Sequence, residues 1–125
     1  NAIELSSIQI KYKKEGEFGV FDSQKATPLA LIITELIHNA IEHGLEKGGD
    51  ELIVAIDRTP SKVSLRVIDN GVGLPDNFDI DKTSNLGLQI VKTLTENELK
   101  GSISLKRAGE ETEARLTFPL NPAAK

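Results

Sequence analysis

The chain contains no cysteine, no methionine and no tryptophan. Without cysteine there is no disulfide frame, no thiolate metal site and no cysteine nucleophile. Without methionine there is no initiator residue. The 125-residue chain is therefore expected to be a piece of a longer multidomain protein, with Asn1-Ala2 as a vector-derived scar. Aromatic residues are few, four Phe and one Tyr, so the core must be built from Ile, Leu, Val and Ala. Uninterrupted apolar runs stop at five residues, Leu29–Ile33 and Leu52–Ile56. A spanning helix needs about twenty and a signal peptide about seven to fifteen, so neither is present. A basic surplus is also missing: 15 Lys and Arg stand against 19 Asp and Glu, a net charge of −4. That balance argues against coating a nucleic-acid backbone. What remains is ordinary globular material, 38% hydrophobic and the length of one domain.

Ile3 to Lys13 leans towards a strand, with Ile8, Ile10 and Tyr12 alternating against Gln9, Lys11 and Lys13. Phe18 to Phe21 reads as a short edge strand or extended segment. Thr27-Pro28 predicts a helix start, with Thr as cap and Pro at the first helical position. Leu29, Ile32, Ile33, Leu36, Ile37, Ala40 and Ile41 then follow one buried helical stripe. Glu51 to Asp57 and Lys62 to Asp69 read as an antiparallel hairpin around Arg58-Thr59-Pro60-Ser61. Gly71 to Ser84 lacks periodicity and is the candidate functional loop. Helical spacing returns at Leu86 to about Asn97, and two strands close the chain, Ser102 to Lys106 and Thr112 to Phe118. The order β-α-ββ-loop-α-ββ predicts a two-layer α/β sandwich, its mixed, mostly antiparallel sheet carrying the helices on one face.

Three places could carry chemistry. Glu35, Asn39 and His43 recur every four residues beside the apolar stripe, a line of about 12 Å along the helix. Carboxylate and amide oxygens are hard ligands suited to Mg²⁺, although a solvated helix face has the same spacing. Asp69-Asn70-Gly71-Val72-Gly73 follows a strand directly. There an ionised Asp could accept from a purine amine and the glycines would admit a flat ligand. Asn-Gly is equally a hairpin-turn signal. Asn85-Leu86-Gly87-Leu88 opens the second helix, where free N–H groups and the positive dipole end suit an anion. It is also what any helix start with one glycine looks like. The loop charges Asp76, Asp79, Asp81 and Lys82 read as solvated surface, and His38 as outward- or partner-facing.

Together these stretches are more specific than any one of them. Glu35-Leu-Ile-His-Asn39-Ala40-Ile-Glu-His43-Gly44, Asp69-Asn-Gly71-Val-Gly73-Leu-Pro75 and Leu86-Gly87-Leu88-Gln-Ile-Val resemble, in turn, the N, G1 and G2 boxes of the GHKL ATP-binding domain. Within that superfamily the chain looks most like the catalytic domain of sensor histidine kinases, of a short-lid, soluble-type subgroup. The resemblance covers about residues 3 to 120 and makes 1–125 a single ATP-binding domain. It implies that Asn39 holds Mg²⁺, that Glu35 polarises the attacking group or supports the metal, and that His43 contacts phosphate. It implies further that Asp69 reads the adenine amine, with Thr112 nearby, while Gly71, Gly73 and Leu86-Gly87-Leu88 face the nucleotide. Asn85 stands where the full G2 pattern has a glycine, Glu111 where a glycine precedes the family threonine, and Phe78 is the one candidate lid aromatic.

The resemblance implies a cytoplasmic enzyme domain that takes ATP and Mg²⁺. It would donate the γ-phosphoryl group to a histidine on an upstream dimerisation and phosphoacceptor helical domain outside this chain, with a response regulator downstream. Nucleic acid and membrane are not expected partners. Both histidines lie inside the N box, so neither is placed as the acceptor. The alternative is an anti-sigma-type serine kinase that sequesters a protein partner. A gyrase- or chaperone-type ATPase fits less well because the chain is small and the lid short.

Overall fold

The computed structural model describes residues 4–5, 8–9, 11–43, 45, 48–71 and 78–120, with residues 4, 5, 8, 9 and 43 described by backbone alone. The elements are β1 (Glu4–Leu5), β2 (Ile8–Gln9), β3 (Lys11–Glu15), α1 (Ser23–His43), β4 (Glu51–Arg58), β5 (Lys62–Asp69), α2 (Leu86–Asn97), β6 (Ser102–Ala108) and β7 (Glu111–Pro119). A 3₁₀ turn at Ile80–Lys82 precedes α2. The main sheet has the order β3-β4-β5-β7-β6. Only β3 and β4 run parallel, as they must when α1 forms the crossover between them. The three remaining pairings are antiparallel.

Strand periodicity decides which side is covered. Leu52, Val54 and Ile56 of β4, Val63, Leu65 and Val67 of β5, and Ala114, Leu116 and Phe118 of β7 are buried. Register aligns them in cross-strand rows, Val54–Val67–Ala114 and Ile56–Leu65–Leu116. On the other side, Arg66 lies 3.8 Å from Glu113 and Arg115 bonds Glu113 at 2.9 Å. Leu29, Ile32, Leu36 and Ala40 of α1 join Leu88 and Val91 of α2 in the same cluster as the sheet rows. Both helices therefore cover one face, as expected of the two-layer sandwich. Each fully buried Leu or Phe here stabilises by about 1.5–3 kcal/mol. No helix among the described residues is long and apolar enough to cross a membrane.

The strand-leaning stretch Ile3 to Lys13 carries β1, β2 and the start of β3; β1 and β2 form a small antiparallel pair, and all five residues of β3 are exposed. β3 is an edge strand whose lysines discourage further pairing. Helix α1 begins one turn before Thr27-Pro28. Asp22 is its cap: its Oδ1 accepts from Lys25 N at 3.1 Å and its carbonyl from Ala26 N at 2.8 Å. Pro28 then lies inside the helix, where it forfeits the bond to the carbonyl of exposed Gln24. Phe18 to Phe21, read as a short edge strand or extended segment, forms no strand.

This cap assignment is testable by thermal melting. Asp22→Ala should lower stability by about 1 kcal/mol, the usual loss for an N-cap aspartate. Thr27→Ala, at an exposed position inside the helix, should change it by less than about 0.5 kcal/mol. The reverse order would restore the start at Thr27.

Candidate active site

The buried stripe of α1 leaves Glu35 and Asn39 half-buried beside it, on the side that meets α2. Asn85 caps α2: its Oδ1 accepts from Leu88 N at 3.0 Å, and its Nδ2 donates to Asn39 Oδ1 at 3.3 Å. Gly87 sits against Glu35, and a Cβ added there would collide with the Glu35 carboxylate. At this point the glycine leaves room for a protein carboxylate, before any ligand is considered. That carboxylate lies at the helix end where the dipole favours negative charge. The cap occupies the N–H of Leu88, and Gln89 N bonds the Asn85 carbonyl at 3.1 Å. The first two helical residues, Leu86 and Gly87, carry the N–H groups an anion could use.

Asp69 ends β5. It has the parity of Val63, Leu65 and Val67, so its carboxylate falls on the helix-covered face, 5% exposed. Its cross-strand neighbours are Leu52 and Thr112. Burial pushes its pKa up, opposed by the Gly71 N–H that Oδ1 accepts at 2.9 Å and by the Arg107 charge. Thr112 is buried as well, and among the described residues its Oγ1 has no hydrogen-bond partner. A carboxylate with one oxygen committed to Gly71 and an orphaned hydroxyl thus lie side by side at the end of the core. Such groups are tolerated where a ligand completes them.

Asn70, read as part of a turn, is a clip. Its Oδ1 accepts from Asp50 N and Glu51 N, both at 2.9 Å, and its Nδ2 donates to Asp50 Oδ1 at 3.3 Å. That bond and the Lys11 charge hold the Asp50 pKa below its ordinary value. Gly49 has φ +92, and a Cβ there would meet the Asn70 carbonyl oxygen at 2.5 Å. The approach to β4 is thereby fastened to the residue after Asp69.

Of the residues named from the sequence, Glu35, Asn39, Leu86 and Gly87 lie at one junction, and Asp69, Gly71 and Thr112 at the end of the sheet. The side chain of His43, together with Gly73, Pro75 and Asp76, lies outside the described residues. The Leu88 side chain is 3% exposed in the core, and its N–H serves the cap. His38 is exposed and 3.7 Å from Glu42. Phe78 packs against the core. The loop charges are only partly free surface, since Asp81 pairs with Lys92 of α2 at 3.2 Å and Asp79 Oδ1 accepts from Asp81 N. Sequence reasoning missed Asn85 and Asn70. An Asn directly before a helix is a cap signal, but the partners of Asn70 lie 19 and 20 residues away.

A family model described as histidine kinase-, DNA gyrase B- and HSP90-like ATPase matches residues 24–122. The chain belongs to this ATPase family. Sensor histidine kinase PdtaS of Mycobacterium tuberculosis (strain ATCC 25618 / H37Rv) is 41% identical over 114 residues, which is 89% of this chain and 23% of that protein. PdtaS of Mycolicibacterium smegmatis is 41% identical over 107 residues, 84% of this chain and 21% of that protein. The ATPase domain thus spans less than a quarter of the length of these relatives. The histidine kinase domain from the Erythrobacter litoralis EL346 blue-light activated histidine kinase superposes with a TM-score of 0.79 at 22% identity, covering 90% of this chain and 53% of that one. The catalytic domain of histidine kinase ThkA gives 0.73 at 20% identity, covering 93% and 82%. Relatives named for sensor histidine kinases do not favour the anti-sigma alternative.

The ionised form of Asp69 is less favourable in the folded ATPase domain than in the unfolded chain. Above the raised folded pKa the destabilisation is complete. It fades as pH falls from that value to the ordinary carboxylate pKa, and below both it is absent. Asp69→Asn should therefore melt higher than wild type at pH 7, with the gap closing on acidification. Melting curves from pH 7 down to pH 4 check this, and a lower melting temperature for the variant at pH 7 would refute it.

Proposed function

We propose that this domain binds ATP with Mg²⁺ and donates the γ-phosphoryl group to a histidine on a separate dimerisation and phosphoacceptor domain of a two-component sensor kinase, with a response regulator as the next acceptor. The observation that supports it most is the junction of Glu35 and Asn39 with the first turn of α2. Helix α1 runs about 32 Å and β5 about 26 Å, so each spans the sandwich. The helix starts beside Arg58 and Pro60, with which Asp22 shares a groove of about 320 Å³. Its later turns therefore lie towards the end of the sheet that carries Asp69 and Thr112. The two halves of the site share that end.

In this reading the Asp69 carboxylate accepts from the adenine N6 amine, and the Thr112 hydroxyl gains the partner it lacks among the described residues. Guanine would set a carbonyl oxygen against Asp69, and two unpaired acceptors discriminate by about 1–3 kcal/mol. Leu86 and Gly87 N–H groups bind phosphate oxygens. The Glu35 carboxylate packed against Gly87 would repel those oxygens unless a cation lay between. Asn39 Oδ1 and the Glu35 carboxylate are two hard oxygen donors, a small set that suits Mg²⁺, which keeps several waters. Mg²⁺, when bound, would neutralise charge on the phosphates. In this reading Glu35 polarises the attacking group and His43 contacts phosphate. Transfer of this kind rests on positioning and charge neutralisation.

Two measurements test the reading. In titration calorimetry, Asn39→Ala should lose more than about tenfold of the Mg²⁺-dependent ATP affinity with the fold intact. Unchanged Mg²⁺ dependence would count against Asn39. Incubated with γ-labelled ATP, the isolated chain should remain unlabelled, because His38 and His43 lie on the nucleotide-binding helix and a misplacement of about 1 Å can already lose 100-fold in rate. An added histidine-bearing helical domain should take an acid-labile, base-stable label. Acid-stable label on a partner serine would favour the anti-sigma reading instead, and strong self-labelling would overturn the roles given to both histidines.

A further inference from the structure

An asparagine amide presents an oxygen and a nitrogen of nearly equal size, and only its hydrogen bonds decide which faces a ligand. At Asn39 the choice is made by a chain of polarity that begins in backbone. The Leu88 N–H can only donate, so the Asn85 atom 3.0 Å from it is an oxygen. The other end of the Asn85 amide is then NH₂, which can only donate. It lies 3.3 Å from Asn39, so the Asn39 atom facing it is Oδ1. Asn85 is itself held, because its own N–H donates to Thr83 Oγ1 at 3.1 Å, while Gln89 Nε2 donates to the Thr83 carbonyl at 2.8 Å. An amide oxygen has two lone pairs, and this bond uses one of them. One turn back on α1, the Glu35 carboxylate would attract the NH₂ end of a freely turning Asn39 amide.

We propose that Asn85 is a positioning residue for the metal-binding oxygen of this domain: it transmits the polarity of α2's first turn to Asn39 and keeps Oδ1, not Nδ2, available to a divalent cation. This rests on the reading of Asn39 as an Mg²⁺ ligand. It adds that the metal site depends on α2's first turn being formed, since the bond from the Leu88 N–H sets the polarity of the Asn85 amide. Outer groups that orient a ligand in this way typically matter tenfold to a hundredfold in metal affinity.

The test is calorimetric titration of the chain with ADP, with and without Mg²⁺, alongside thermal melting. Asn85→Ser keeps a good capping hydroxyl but is too short to reach Asn39. It should melt within a few degrees of wild type and bind ADP equally well without Mg²⁺, while losing about tenfold of the Mg²⁺-dependent gain. In an Asn39→Asp background both terminal atoms are oxygens, so there is nothing left to orient. There Asn85→Ser should leave the Mg²⁺-dependent gain unchanged. The Asn39 side-chain amide should also give sharp NMR resonances in the wild type and exchange-broadened ones in Asn85→Ser. An equal loss in both backgrounds would mean that Asn85 acts through the helix cap alone, and would overturn the proposal. So would an undiminished Mg²⁺ gain in Asn85→Ser. If Asn39→Ala keeps the full Mg²⁺ gain, the reading of Asn39 fails first and this proposal with it. Loss in Asn39→Ala without loss in Asn85→Ser removes this proposal only.

Discussion

Burial of a single sheet face under two helices is the constraint on which the rest of the molecule depends. Period-two alternation along β5 sends Val63, Leu65 and Val67 into that interface, and the next residue of the same parity is Asp69. The carboxylate is therefore carried into the edge of the core by the same register that buries the valines. Thr112 arrives beside it because β7 is antiparallel to β5 and pairs Asp69 with Thr112. Burial raises the Asp69 pKa, and among the described residues the Thr112 hydroxyl has no partner. The fold holds these two groups in an unfavourable state that a polar ligand edge would relieve.

The second half of the site is assembled by helix-to-helix contact. Helix α1 delivers Glu35 and Asn39 one turn apart, and α2 brings its capped N-terminus against them. Gly87 leaves room for the Glu35 carboxylate at the helix end, and Asn85 spans the gap to Asn39. These contacts link the α2 cap to the N-box oxygen. The lid side is tied to the same helix, since Lys92 pairs with Asp81 and its pKa is raised by its Glu96 and Asp81 bonds. Asn70 performs the matching task at the end of the sheet, fastening the start of β4 to the end of β5.

The apolar stripe of α1, the hairpin of β4 with β5 and the one-sided sandwich were legible in the sequence, because periodicity reports directly which face is buried. The three box-like stretches carried the family as well, and the match over residues 24–122 agrees with them. The start of α1 was not legible. Thr27-Pro28 has the look of a helix start, yet Asp22 makes the bonds, and tertiary packing of the segment before it selects between two plausible caps. The alternation through Tyr12 signalled a strand but not its surroundings, because an edge strand can alternate with both faces exposed.

Sequence alone determined that Asp69, Asn39 and Gly87 are chemically suited to a nucleotide, since residue type and local element are properties of short stretches. Only the tertiary structure decided which atoms of those residues are available. Asn39 and Asn85 are 46 positions apart, Glu35 and Gly87 are 52 apart by their numbers, and no local pattern records that they meet. Whether a glycine spares a phosphate or a glutamate, and which end of an amide faces a metal, depends on hydrogen bonds between elements. Those bonds exist only after the helices have packed.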